Sequence, residues 1–217
     1  MKHDRIFETW IARQRAGKTT ALRSRVRALY RDTGIRSVWV LDALGEWPDG
    51  LGLADVVEVD RASYLDKTSH GFPRVCLWRV DPDDKLTIAF IWQEAVAQGD
   101  IALILDEASL YAPGPHWTGE PMLKRIVLQG RHLPDMCGKL RPTHLIVAVQ
   151  YPRLVNHLVW SQSPVIMVGQ VAGESTRKWI ASNFGDPILA EADRVRPFGW
   201  IAVRGIKPSM PGYGPTG

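Results

Sequence analysis

The sequence predicts an α/β fold with a mostly parallel central sheet, and three observations carry that prediction. Near the start, Ala12-Arg13-Gln14-Arg15-Ala16-Gly17-Lys18-Thr19 fits the GxxxxGK[ST] pattern of a phosphate-binding loop (P-loop) at every position but the first. Further on, five apolar residues at 101–105 run directly into Asp106-Glu107, the pattern of a buried strand that delivers two carboxylates at its carboxyl end. Between and beyond these motifs, short β-branched apolar runs alternate with stretches of helical periodicity.

Taken in order, residues 5–11 alternate in part and read as the strand that feeds the P-loop. The loop turns backbone N–H groups toward phosphates, Lys18 adds a mobile positive charge, and the Thr19 hydroxyl is a ligand for Mg²⁺. Residues 13–20 (Arg13, Gln14, Arg15, Ala16, Gly17, Lys18, Thr19 and Thr20) are therefore the candidate nucleotide-binding stretch. Ala12 stands where the pattern has its first glycine, and a Cβ there is expected to restrict the turn because it disfavours positive φ. The good helix formers of 20–31 place a helix N-terminus, and its dipole, against the same anion. Thr33-Gly34 reads as the cap that ends this helix.

Residues 37–41 form a nearly continuous apolar run, as expected of a parallel strand buried on both faces. Asp42, Gly45, Glu46 and Trp47 follow it on the ligand side of an open sheet; turn formation explains Asp42 and Gly45 but not Glu46. Residues 55–60 and 74–80 are the next two strands, and the polar stretch 63–73 between them reads as a surface loop. Asp81-Pro82-Asp83-Asp84 caps a helix whose apolar positions Leu86, Ile88, Ala89, Ile91, Trp92, Ala95 and Val96 face a core, and Gly99 stops it.

The run at 101–107 is a Walker B element: Asp106 beside the P-loop can hold Mg²⁺, and Glu107 can polarise an attacking water. Both motifs together, in this order and separated by strand and helix units, indicate a nucleoside-triphosphate site. Residues 111–119 are a Pro- and Gly-rich loop, 121–129 a helix ended by Gly130-Arg131-His132, and 143–149 a strand that delivers the Gln150 amide where a γ-phosphate sensor belongs. Tyr151-Pro152-Arg153 then turns the chain, 164–168 is a strand, 174–184 a helix with Trp179 and Ile180 inward, and 198–204 the last strand.

Composition sets the outer bounds. The 217 residues suffice for one α/β domain, expected over 1–204, followed by a Pro/Gly-rich tail at 205–217. The net charge of +4 is concentrated early, at Arg13, Arg15, Arg23, Arg25, Arg27, Arg31 and Arg36, which permits a polyanion partner; the plainer alternative makes Arg23, Arg27 and Arg31 the solvated face of a helix. Cys76 and Cys137 lack metal or disulfide spacing, and the six histidines are scattered, so neither a disulfide framework nor a structural metal is expected. No apolar run reaches the ~18 residues needed to span a bilayer, and the Lys2-His3-Asp4-Arg5 start lacks a signal peptide's apolar core. A soluble, intracellular protein is expected.

These motifs resemble the FtsK/HerA superfamily of P-loop ATPases, especially the small genome-packaging ATPases of tectivirus-like viruses with an internal membrane. The matching pieces are Ala16-Gly17-Lys18-Thr19, Asp42 with Gly45-Glu46-Trp47, the strand ending in Asp106-Glu107, Gly130-Arg131-His132, and Gln150 followed by Tyr151-Pro152-Arg153. The resemblance implies a RecA/FtsK-like three-layer P-loop NTPase fold, ATP hydrolysis with Mg²⁺, a homo-oligomeric ring of five or six subunits, and translocation of double-stranded DNA into a capsid. It also implies a location in the host cytoplasm and in association with virions, and admits a capsid or membrane-vertex protein as partner. Carried over residue by residue, Lys18 and Thr19 bind phosphate and Mg²⁺, Asp106 binds the metal, Glu107 is the base and Gln150 the sensor. Arg131, with Arg153 as runner-up, is the candidate arginine finger; capping its own helix is the equal alternative for Arg131. The competing functions are a phage assembly and export ATPase like the zonular-occludens-toxin proteins, which share the Arg-His and Gln motifs, and a nucleotide-binding structural protein.

Overall fold

The computed structural model describes residues 5–43, 45–47, 51–68, 72–114 and 121–204. Within them one sheet contains β1 (Phe7–Ile11), β2 (Ser37–Leu41), β3 (Val56–Val59), β4 (Val75–Trp78), β5 (Ile101–Leu105), β6 (His144–Val149), β7 (Val165–Val168) and β8 (Ile201–Arg204). The order across the sheet is β3-β4-β2-β5-β6-β1-β7-β8. Every neighbouring pair is parallel except β7 with β8, which makes the expected mostly parallel sheet with one antiparallel edge. The helices are α1 (Lys18–Arg31), α2 (Tyr64–Thr68), α3 (Lys85–Gln98), α4 (Pro121–Gln129), α5 (His157–Ser161), α6 (Glu174–Phe184) and α7 (Asp186–Arg194).

The central strands are apolar on both faces because both faces are covered. Val38, Val40, Ala102, Ile104, Ile146 and Ala148 pack with Leu22, Val26 and Leu29 of α1. Their alternates Trp39, Leu41, Leu103, Leu105, Val147 and Val149 pack into the other cluster, with residues of α2 to α7. The two outer layers are unequal. On the first face, among the described residues, α1 is helped by irregular chain, from which Trp47 and Leu51 are fully buried.

Four sequence expectations change in the structure. Residues 63–68 are not a loop throughout: Tyr64 anchors α2, its ring 5.6 Å from Trp39, 5.0 Å from Trp78 and 5.6 Å from Phe90, and this burial overrides a polar local sequence. Residues 69–71, like 115–120 of the Pro- and Gly-rich loop and the tail from 205, lie outside the described residues. Helix α1 ends without Thr33-Gly34 as a left-handed cap; the Asp32 carboxylate accepts the Gly34 N–H at 2.9 Å, and the Asp32 N–H donates to Leu29 O at 3.0 Å. Leu86 is exposed although Thr87 and Ile88 in the same first turn of α3 are buried, so it lies on the helix face turned away from the core. Finally, the last strand begins at Ile201, and residue 198 belongs to the turn before it.

One arginine ties the first face together. Arg74, just before β4, donates to Tyr30 O at 2.6 Å, Asp32 O at 3.0 Å, Arg36 O at 3.1 Å and also to Ile35 O, so its guanidinium closes the carbonyl end of α1 and the turn after it. Arg74→Ala should leave these carbonyls without their donor, cost about 2 kcal/mol and lower Tm by about 4–8 °C in thermal denaturation. Arg74→Lys should recover only part of this, since an ammonium cannot span the same carbonyls. An unchanged Tm in the alanine variant would show the cap to be redundant.

Candidate functional site

Strand register brings the motif residues to one edge. Ile11 pairs with Val149 and with Val168, so Ala12, Gln150 and Gly169 leave three adjacent strands side by side. Leu105 pairs with Leu41 on one side and Val147 on the other, so Asp42 and Asp106 emerge at the same carboxyl edge. Between the P-loop and this edge lies a cavity of about 660 Å³. Gln14, Arg15, Gly17, Lys18, Thr19 and Thr20 form one side of it, and Asp106, Glu107 and Gln150 face them.

The P-loop has the geometry of an anion cradle. Gly17 takes φ 91° and ψ 21°, where a side chain is strained, and caps α1 without a side-chain hydrogen bond. No acid sits in the first turn of α1, which leaves the helix dipole and first-turn N–H groups for an external anion. Lys18 folds over the loop and donates to Ala12 O and Arg13 O, each at 3.1 Å. Burial lowers its pKa, while Glu107 and then Asp106 favour the charged form. Arg15, at φ 59°, also lines the cavity, whereas Arg13 turns away to Gln170 Oε1 at 2.9 Å.

Ala12 does not have the effect expected of it. Its φ is not positive, so no glycine is required on conformational grounds; it is fully buried and donates to Val149 O at 3.2 Å as an extension of the ladder. Space for its methyl group comes from across the strand pair. A Cβ on Gly169 would lie 3.1 Å from the Ala12 Cβ and 3.0 Å from the Trp200 ring. The missing first glycine is matched by a glycine at 169.

Asp106 is the point of convergence. Its Oδ2 accepts the Thr19 hydroxyl at 2.9 Å and the Trp47 indole N–H at 3.0 Å. Burial raises its pKa; Thr19, Trp47 and Lys18 act against that, and Glu46 adds to it. Glu107 accepts from the Ser109 hydroxyl at 2.7 Å and the Ser109 N–H at 3.4 Å, which holds it at the head of the short 3-10 turn Ala108–Leu110. Asp42 accepts the N–H groups of Glu46 at 3.0 Å and Trp47 at 3.1 Å and pairs with Arg79 at 3.3 Å, so it builds the turn, while exposed Glu46 reaches the cavity wall.

The cavity residues Leu110, Tyr111 and Phe198 have no role assigned from the sequence, and neither has Trp47, which lies behind the cavity wall and donates to Asp106. The Tyr111 hydroxyl is buried with no hydrogen-bond partner among the described residues, and burial together with Asp42 and Asp106 pushes its pKa up. For Trp47 a signal existed, an aromatic residue in a Gly-Glu-Trp turn after a buried strand. For Phe198 none did, because it read as part of a strand.

The structure does not bring Arg131 to this edge. Gly130 O accepts the Thr143 N–H at 2.8 Å, and Arg5, whose pKa is lowered to about 10 by burial and by Arg131, donates to Thr143 O and Val127 O at 3.1 Å. These contacts place Arg131 at the amino ends of β1 and β6, across the molecule from the cavity. Arg153 lies on the cavity side, exposed on the 3-10 turn Pro152–Leu154 just after Gln150. Nor is the arginine-rich face of α1 simply solvated. Arg27 donates to Leu51 O at 2.8 Å, Arg23 to Glu46 O, and Arg25 pairs with Glu8 at 2.6 Å.

No protein-family model matches this chain, and no curated protein does so either. Its fold is that of solved packaging enzymes. The genome packaging NTPase B204 from Sulfolobus turreted icosahedral virus 2, in complex with AMPPCP, superposes with a TM-score of 0.70 at 16% identity over 92% of each chain. The same protein in complex with ATP-gammaS gives 0.70 at 14% identity, again over 92% of each. B204, the DNA-packaging ATPase from Sulfolobus turreted icosahedral virus, gives 0.69 at 19% identity over 94% of each. Among the described residues, no helix is long and apolar enough to cross a membrane.

The raised pKa of Asp106 has a measurable sign. Its ionised form is less favourable folded than unfolded, so it subtracts from stability as pH rises above the ordinary value of 3.8 and subtracts nothing below it. Asp106→Asn, which keeps an oxygen for Thr19 and Trp47, should therefore have a higher Tm than the natural chain at neutral pH without Mg²⁺. The gain should vanish as pH falls below 3.8. An equal or lower Tm at neutral pH would mean that Lys18 and the two donors fully compensate the buried charge.

Proposed function

We propose that this chain is a single-domain, Mg²⁺-dependent ATP hydrolase that moves double-stranded DNA as a viral genome-packaging ATPase. The observation that carries the reading is the meeting of Lys18, Thr19, Asp106, Glu107 and Gln150 around one cavity. The P-loop N–H groups and Lys18 hold the phosphates, with Asp106 and Glu107 keeping Lys18 charged against the cost of its burial. Thr19 and Asp106 offer hard oxygen donors 2.9 Å apart beside the P-loop, which suits Mg²⁺. When bound, the ion supplies charge neutralisation at the β- and γ-phosphate oxygens. Glu107 takes the proton of the attacking water, and Gln150 orients that water or the γ-phosphate.

For the DNA partner, support comes from the DNA-packaging role of the similar B204 structure and from a basic chain, net +4 with a sequence pI near 9.2. Arg23, Arg25 and Arg27 of α1 are engaged within the fold, so exposed Arg15, Arg31, Arg131 and Arg153 are the better phosphate contacts. The working form is a homo-oligomeric ring, a hexamer or pentamer. Of the two finger candidates, Arg153 needs no rearrangement of ends to approach a nucleotide. Arg131 serves only in trans, where a neighbour's cavity meets the amino end of this sheet.

Glu107→Gln should bind ATP like the natural chain and lose about 10²–10⁴ in turnover, whereas Lys18→Ala should weaken binding itself. Duplex DNA of any sequence should stimulate hydrolysis, with an affinity that falls steeply as salt is added, because bound cations are released from the duplex. Absence of stimulation would point to the export-ATPase or structural alternatives.

Mixing subunits separates the arginines. An inactive Arg153→Ala chain mixed with inactive Glu107→Gln should regain partial hydrolysis if the finger acts across the ring, and the same holds for Arg131→Ala. No recovery in proven mixed rings excludes action in trans for that arginine.

A further inference from the structure

We propose that Phe198 is the platform on which the heterocyclic base of the bound nucleoside triphosphate stacks, an inference that rests on the nucleotide reading above. The phosphate end of the cavity is marked by Lys18, Thr19 and Asp106. Strand order puts Asp106 and Glu107, which follow β5, on one side of β1 and its P-loop, and Phe198, which leads into β8 and also lines the cavity, on the other. A nucleotide with its γ-phosphate beside Asp106 and Glu107 therefore directs its base toward Phe198.

The placement of this residue is specific and does not serve the core. Phe198 is 63% exposed, although the neighbouring Trp200 is packed edge-on against Trp10 at 4.9 Å. Its φ is 65°, in the left-handed region that bulky side chains avoid. The Gly199 N–H donates to Arg196 O at 2.9 Å and closes a turn with Pro197 in second place and Phe198 in third. That combination of proline and positive φ is the pattern of a type II turn, whose third place ordinarily goes to glycine or asparagine. Gly199 is held in close quarters, since a Cβ there would lie 3.0 Å from Val195 Cγ1 and 3.1 Å from Arg196 O. The turn leads into β8, which pairs with β7, itself the neighbour of β1, so the sheet fixes the ring beside the P-loop. The ring lies against Gly17, where a side chain would collide with it. A strained, exposed aromatic residue held at the mouth of a phosphate cradle fits the flat face of a base.

Stacking engages the face of a base and not its edge, so Phe198 contributes equally to purine nucleotides of different edge chemistry. The test measures dissociation constants of the full chain with Mg²⁺ for ATP, GTP and inorganic tripolyphosphate, which has the phosphates without a base. Phe198→Ala and Phe198→Gly should each weaken ATP and GTP about tenfold and leave tripolyphosphate within about twofold. Phe198→Trp should bind ATP at least as tightly as the natural chain. Phe198→Gly should also raise Tm, because glycine accepts the positive φ without strain, so lost base affinity cannot be put down to a damaged fold. Unchanged ATP affinity in the alanine and glycine variants overturns the inference, as does an equal loss of tripolyphosphate, which would make the ring a prop for the P-loop. Failure of the natural chain to bind either ATP or tripolyphosphate is a separate result that removes the nucleotide reading and this inference with it.

Discussion

A single buried carboxylate oxygen joins three parts of the chain that are distant in sequence. Asp106 Oδ2 receives the Thr19 hydroxyl from the start of α1 and the Trp47 indole from the segment after β2, while Asp106 itself ends β5. Burying a carboxylate is unfavourable unless hydrogen bonds and opposite charge surround it, and here burial raises the Asp106 pKa while both donors and Lys18 oppose the rise. The strand before the P-loop and the strand that ends in Asp106 are not neighbours in the sheet, because β6 lies between β1 and β5. That intervening strand is what places Gln150 between them, at the same edge.

The segment after β2 has two roles that cannot be separated. It completes the thin outer layer beside α1 through fully buried Trp47 and Leu51, and it supplies the indole that orients Asp106. Its shape is set from several sides: Asp42 receives the Glu46 and Trp47 N–H groups, Arg79 pairs with Asp42, and Arg23 and Arg27 of α1 bind the carbonyls of Glu46 and Leu51. Arginines that count toward a basic chain in composition are here cross-braces between a helix and irregular chain. The charge available to a polyanion is therefore smaller, and differently placed, than its sequence distribution suggests.

A similar exchange explains the departure from the P-loop pattern. The backbone at residue 12 continues the ladder with Val149, so the first position demands space and not unusual dihedral angles. The space is left by Gly169, just past the end of β7, a strand distant from Ala12 in sequence but beside β1 in the sheet. Close packing makes the two positions a pair: a methyl group at one requires hydrogen at the other.

How much of this was legible in the sequence differs by element. The buried runs of β2 and β5, the span of α4 and α6, the Asp84 cap of α3 and the motif residues at the cavity could be read directly, because continuous apolar runs, helical periodicity and cap chemistry are local properties. Helices α2 and α5 are short, and α2 forms around one tyrosine packed among aromatic rings from other strands, which no local pattern announces. The link from Trp47 to Asp106, the pairing of Ala12 with Gly169, the position of Phe198 over Gly17 and the distance of Arg131 from the cavity all depend on strand order and register. By itself the sequence determined which residues are the candidates for phosphate, metal and proton chemistry, since candidacy follows from residue type and near spacing. Only the tertiary structure decided which of them share a site and what holds them there, because hydrogen bonds and packing between strands distant in sequence leave no mark on local periodicity.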